Sequence, residues 1–233
     1  MKCFIIYVES CNHSKQTSNQ LYNQLINYNH SVNLFSGVDQ HEAKKLLFKE
    51  NRKKHPASVY NPNSIESFYF NNLLSNPGVI GCFYSHYLLW KKCVEINEEI
   101  AIFEDDVLIY RDYIPVEYND ILYLSFSMNV RNISDPRYSE KMNEKEFILN
   151  NYLLNPTEKP ESKDYFNDRY GKIGYASGYL IKPKAANKFL ETFSNTYTAA
   201  DHALFYPFVE PQIHNHLMGR VRNEQEGNHS LIT

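Results

Sequence analysis

"AIFEDDVLIY", Ala101 to Tyr110, sets three consecutive carboxylates into a run that otherwise reads as a buried strand. Ile100 to Phe103 lead in and Val107 to Ile109 lead out, all of them apolar. Adjacent acids repel one another, and an unpaired buried charge is costly. The triplet Glu104, Asp105 and Asp106 therefore either ends a strand at the surface or gathers a cation. Hard divalent ions such as Mn²⁺ and Mg²⁺ prefer carboxylate oxygens and commonly bridge them to substrate phosphates. An isolated acid triplet is also a common opening for a solvated turn.

Working outward, strands and helices alternate. "CFIIYV" (3–8) is a short apolar first strand, and behind it Leu21, Tyr22, Leu25 and Ile26 recur at helical spacing. "SVNLFSGV" (31–38) predicts a second strand, and "HEAKKLLFKENRKKH" (41–55) a helix with a basic end. Residues 56–77 are rich in Asn, Ser and Pro and read as loop, with Phe68, Tyr69 and Phe70 packed inward. A helix over Ile80 to Ile96 would present Tyr84, Leu88, Trp90 and Val94 as its apolar face. Beyond the 99–103 strand and the acids, "DILYLSFS" (120–127) predicts another strand. "GYASGYLIKP" (174–183) is a glycine-punctuated strand, and "KAANKFLETF" (184–193) a helix. Between them, 128–172 lacks periodicity and reads as an irregular insertion or acceptor loop.

That alternation predicts one α/β domain over 1–233, of Rossmann type, with a largely parallel central sheet flanked by helices. Ligands of such sheets bind beyond the carboxyl ends of the strands, where the acid triplet falls. No G-x-G-x-x-G or P-loop pattern occurs, so a nicotinamide dehydrogenase or P-loop NTPase has no motif to rest on. A formal charge of −3 supplies no global basic field for nucleic acid. Cys3, Cys11, Cys82 and Cys93 show no zinc-like spacing and suit a reduced, cytoplasmic setting. "MKCFIIYVES" is too short an apolar run for a signal or a membrane span, so no transmembrane segment is expected there.

"NPGVIGCFYSHYLLWKKC" (76–93), followed by "IAIFEDDVLIY", resembles glycosyltransferase family 25, whose pattern runs roughly G-x-x-G-C-x-x-S-H-x-x-x-W and then an apolar strand ending in E-D-D-V. Gly78, Gly81, Cys82, Ser85, His86, Trp90, Glu104, Asp105, Asp106 and Val107 supply it here. "LFSGVDQHE" (34–42), "GYASGYLIKPKAANKFL" (174–190) and "TAADHAL" (198–204) are similar to further family segments in the same order. The opening "FIIYVESCNHSKQTS" is similar to the family's first turn but lacks its arginines. The resemblance implies a GT-A-like fold, a nucleotide-sugar donor that is usually a UDP-sugar, and a Mn²⁺ or Mg²⁺ ion.

On that reading Asp106 and Glu104 hold the metal against the diphosphate, and Asp105 faces the sugar or ribose. Ser85, His86 and Gly178 are the further donor-site candidates. Each has a structural alternative: a hydroxyl bonding its own helix, a packed histidine, a bulge. Gly174 shares the reading of Gly178, Cys82 reads as a small hydrophobe, and Trp90 as core. The family is regarded as inverting, which requires a carboxylate base, and the resemblance gives that place to Asp201. His202, His214, His216 and His229 are the candidates for a further metal ligand.

The expected activity is metal-dependent transfer of a hexose or pentose to an acceptor hydroxyl, the favoured acceptor being a lipopolysaccharide or other glycan. The basic run Lys44, Lys45, Lys49, Arg52, Lys53 and Lys54 keeps a second acceptor in view, hydroxymethylated duplex DNA. The altered first turn admits a non-catalytic sugar-nucleotide or glycan-binding module, and clustered acids would also serve a phosphohydrolase.

Overall fold

The computed structural model describes residues 1–55, 74–126, 176–204, 209–213 and 218–221. In chain order the first elements are β1 (Lys2–Tyr7), α1 (Asn12–Asn27), β2 (Ser31–Ser36), α2 (Gln40–Glu50), β3 (Lys53–Lys54) and α3 (Pro77–Ile96). Next come β4 (Ile100–Glu104), β5 (Val107–Ile109), β6 (Ile121–Tyr123), β7 (Ser125–Phe126) and β8 (Gly178–Ile181). Then follow α4 (Pro183–Thr192), β9 (Thr196–Tyr197), α5 (Ala200–Ala203), β10 (Pro211–Ile213) and β11 (Gly219–Val221).

Six strands form the central sheet in the order β10, β6, β8, β4, β1, β2. The β1–β2, β1–β4 and β6–β10 pairs are parallel, whereas β8 runs against both β4 and β6. Five strands thus point one way and β8 opposes them, a mixed sheet that is mostly parallel. The chain builds outward from β1 to β2 and then returns to β1's other side with β4. That reversal makes a topological switch point at the carboxyl ends of β1 and β4, the place where open α/β sheets bind ligands. Glu104 is the last residue of β4, so the acid triplet lies at this switch point.

Both faces of the sheet are covered, which is why its strands read as continuous apolar runs. Ile100, Ile102, Tyr179 and Ile181 share one core with residues of α2, α3 and α4. Ala101, Phe103, Leu122 and Leu180 share the other with Leu21 and Leu25 of α1.

Several expectations need correction. The 41–55 helix stops at Glu50: Asn51 turns into the left-handed region at φ 49°, and Lys53–Lys54 pair with β9 instead. Helix α3 starts three residues before Ile80, at Pro77, where the Asn76 side chain accepts from Gly78 N at 2.8 Å. Leu88 faces solvent while Leu89 takes the inward place. The 120–127 run is two strands, because the chain leaves the central sheet after Tyr123 and β7 joins β5 and β11 in a separate three-stranded sheet. On α1 the buried face includes Ser14, Thr17 and Ser18 as well as Leu21 and Leu25, while Ile26 is exposed. The 128–172 segment, Phe68, Tyr69, Phe70, Gly174, His214, His216 and His229 lie outside the described residues. No helix among the described residues is long and apolar enough to cross a membrane.

Candidate active site

Strand parity distributes the acids. Glu104 follows Ile100 and Ile102 onto the α3 face, and Asp105 follows Ala101 and Phe103 onto the α1 face. On the α3 side the Cys82 thiol donates to Glu104 Oε1 at 3.3 Å. His86 Nε2 stands 3.5 Å from the same oxygen, long for a hydrogen bond. The other ring nitrogen of His86 lies 2.8 Å from the Tyr179 hydroxyl, which also accepts from Trp90 Nε1 at 2.9 Å. Glu104 is further anchored through its backbone, whose N–H donates to Ser177 O at 2.8 Å.

Asp105 is held differently. Its Oδ2 accepts from the Thr17 hydroxyl at 3.0 Å, and the Ser14 hydroxyl bonds it too. Burial raises its pKa above the ordinary carboxylate value, against the two hydroxyls that lower it. It ties the first turns of α1 to the β4–β5 turn and does not turn toward Glu104's side of the sheet. The assignment of Asp105 to sugar or ribose therefore meets a residue already engaged in the fold.

Asp106 and Asp201 act electrostatically on the thiol that Glu104 holds. Burial first, then the charges of Glu104, Asp201 and Asp106, push the Cys82 thiol well above its ordinary range. Carboxylates from two places in the chain, the acid triplet and Asp201, thus act on one thiol. Asp201 sits in α5, which packs on α3, and its Oδ1 accepts from His202 N at 2.9 Å. Cys82, His86 and Glu104 place one ligand-type atom each within 4.8 Å of one another. Metals bind thiolates, however, and everything around Cys82 keeps its proton on. Hydrogen bonding to Glu104 accounts for this trio without an ion.

Ser85 and Gly178 have structural duties. Ser85 Oγ donates to Gly81 O at 2.8 Å and accepts from Val38 N at 2.8 Å, joining α3 to the β2–α2 loop. A Cβ on Gly178 would stand 2.6 Å from Ser125 Oγ, so the glycine lets β8 pack closely against that serine. The basic run is also divided. Arg52 donates to Glu50, to the carbonyl of Phe193 and, at 3.4 Å, to that of Thr196, with its guanidinium 4.3 Å from the Tyr87 ring centroid. Lys44, Lys45, Lys49, Lys53 and Lys54 remain exposed. The strongest phosphate-binding side chain of the run is spent on tertiary structure, and nothing here favours the DNA reading.

The family model for glycosyltransferase family 25 (LPS biosynthesis protein) matches residues 2–204. This chain belongs to glycosyltransferase family 25. No curated protein matches it. Within this family 25 member, the G-C-x-x-S-H-x-x-x-W stretch acquires a physical account. A Cβ on Gly81 would lie 2.4 Å from Val38 O, so only glycine lets α3 approach that loop. One helix turn then presents Cys82 and His86 to Glu104 and Ser85 to Val38. Trp90, fully buried, reaches the same group through Tyr179.

Tyr179, Ser14 and Thr17 were not among the expected site residues of this family 25 chain. The inward hydroxyls of α1 left a trace, since Ser14, Thr17 and Ser18 recur at helical spacing ahead of Leu21. Tyr179 left none, because its partner His86 stands 93 residues away in the chain.

Proposed function

We propose that this family 25 glycosyltransferase moves a sugar from a nucleotide diphosphate donor, a UDP-sugar, onto a hydroxyl of a glycan acceptor, in a GT-A-like site and with inversion. The observation that supports the reading is the place of Glu104 at the end of β4, where the strand order reverses, with the Cys82 thiol and the His86 imidazole at one of its oxygens. The family description, with its reference to LPS biosynthesis, supports a glycan as the acceptor.

The residues fit a hard divalent ion. The donor set is carboxylate oxygen, and Glu104 keeps Oε2 beside the Oε1 that Cys82 and His86 engage. Asp106 and Glu104 would hold it. When bound, Mn²⁺ or Mg²⁺ offsets the negative charge that builds on the departing diphosphate. Asp201 takes the proton of the acceptor hydroxyl as its oxygen attacks the anomeric carbon and the bond to the diphosphate breaks on the opposite face. Cys82 and His86 hold the Glu104 carboxylate in place, and Asp105 anchors the turn that carries Asp106.

The test is mass spectrometry of reactions containing a panel of nucleotide sugars, Mn²⁺ and a lipopolysaccharide-type oligosaccharide. The expected result is an acceptor heavier by one sugar residue, lost on adding chelator. Transfer undiminished by chelator would remove the ion from the scheme. Nucleotide binding without transfer to any acceptor would leave a binding module instead.

A further inference from the structure

We infer that Trp90, Tyr179 and His86 form a one-directional hydrogen-bond relay that positions Glu104, fixing the His86 proton on Nε2 and reserving Glu104 Oε2 for the donor side of the site. The inference rests on the reading of Glu104 as an ion-holding residue. The direction follows from counting protons. An indole N–H can donate and cannot accept, so at 2.9 Å the Tyr179 oxygen accepts from Trp90. Tyr179 is fully buried, and burial keeps it a neutral phenol with one proton to give. The partner for that proton is His86 Nδ1, 2.8 Å away.

An Nδ1 that accepts leaves the imidazole proton on Nε2, which faces Glu104 Oε1 at 3.5 Å. The opposite arrangement, with Nδ1–H aimed at Tyr179, would place two donors on one phenol oxygen. It would also leave the phenol proton with no other acceptor among the described residues. The relay therefore runs from Trp90 to Tyr179 to His86 to Glu104. The rings of His86 and Tyr179 stack with centroids 5.7 Å apart, which restrains the imidazole's tilt. Cys82 donates to the same Glu104 oxygen from the turn before His86.

With Cys82 donating to Oε1 and His86 Nε2–H directed at it from 3.5 Å, rotation of the carboxylate would break the first contact and lengthen the second. Its second oxygen is thereby aimed before any ligand arrives. Partners of this outer kind commonly change metal affinity by roughly 10-fold or more when removed. His86 is a positioning residue on this account, and so is Tyr179.

The experiment uses the full chain with Mn²⁺ and UDP as probes. In ¹⁵N spectra of histidine-labelled protein, the His86 signals, assigned by their loss in His86→Leu, should show the proton on Nε2; a proton on Nδ1 overturns the relay. The free-ion electron paramagnetic resonance signal of Mn²⁺, followed with UDP present, gives affinity. Tyr179→Phe and His86→Leu should each weaken binding roughly 10-fold. His86→Gln, whose amide can donate toward Glu104, should recover most of it. Adding Tyr179→Phe to Glu104→Gln should cost nothing more. The emission of Trp90, the chain's single tryptophan, shows whether the core stays closed in each variant. Equal affinity in all of them with that core closed overturns the relay. A wild-type chain that binds no Mn²⁺ with UDP overturns instead the ion-holding reading of Glu104, and the ¹⁵N spectrum then decides the relay alone.

Discussion

Glu104 and Asp105 are adjacent, carry the same group and are both half-buried, yet the sheet sends them to opposite faces with opposite duties. Glu104 meets a thiol and an imidazole that engage one of its oxygens from α3. Asp105 meets two hydroxyls of α1 and becomes a tie between that helix and the β4–β5 turn. The difference shows how a strand end can carry three consecutive acids. Pleating separates the first two across the sheet, so their repulsion is divided between two neighbourhoods with their own donors. That leaves Glu104 on the α3 side and Asp106 in the turn as the acids the proposed ion would use.

The largest expected effect tests that division directly. Glu104→Gln and Asp106→Asn should each lower the rate of sugar transfer by about 10²–10³-fold, the size seen when one preorganised electrostatic contact is removed. Asp105→Asn should lower it by less than about 10-fold, because the change acts through the α1 tie. Single-turnover rates at saturating Mn²⁺, with circular dichroism to confirm folding, measure both. If Asp105→Asn proves the most severe of the three, the two faces have been assigned the wrong way round.

A second test disturbs one side alone. Gly81 lies against the Val38 carbonyl, a backbone atom that cannot swing away, so Gly81→Ala must push α3 from the β2–α2 loop. A cost of about 2 kcal/mol is expected, or roughly 4–8 °C in thermal midpoint for a chain of this size. Gly178→Ala meets the Ser125 hydroxyl instead, a side chain that can rotate, and should cost less. Because Cys82 follows Gly81, the first variant should also weaken Mn²⁺ binding in the presence of UDP, while the Asp105 tie stays intact.

Much of this arrangement was legible in the amino acids. Apolar runs placed β1, β4 and β8, and the acids fall at the end of β4 as expected. Alternation along Ile100 to Asp105 did not by itself settle which of the acids share a side. What it did not contain was which helix covers which face, and so the hydroxyls that hold Asp105 were not foreseen. That information lies in long-range packing: Thr17 meets Asp105 across 88 residues of chain. Similar reasons hid Tyr179 and the fate of Arg52, whose carbonyl partners on Phe193 and Thr196 stand more than a hundred residues on. Local spacing shows which side chains share a helix face, as it did for Cys82 and His86. It does not show what that face will meet.

The smallest expected effect separates the two acids by their protons. Burial gives Asp105 a pKa above the ordinary carboxylate value, so the folded chain holds this proton more tightly than the unfolded one. Where the folded state binds more protons, stability falls as pH rises. Asp105 therefore favours folding most at pH below the ordinary carboxylate pKa, and that contribution is lost as pH climbs through its raised value. Asp105→Asn has no such slope. In ion-free protein the variant should be less stable by about 1 kcal/mol at acid pH, the worth of a disturbed hydrogen bond. Its deficit should shrink as pH rises through that window. Urea unfolding of both chains at a series of pH values reads the difference. A deficit that grows with pH instead would mean that the Ser14 and Thr17 hydroxyls hold the ionised carboxylate better than burial opposes it, and Asp105 would then resemble an ordinary hydrogen-bonded acid.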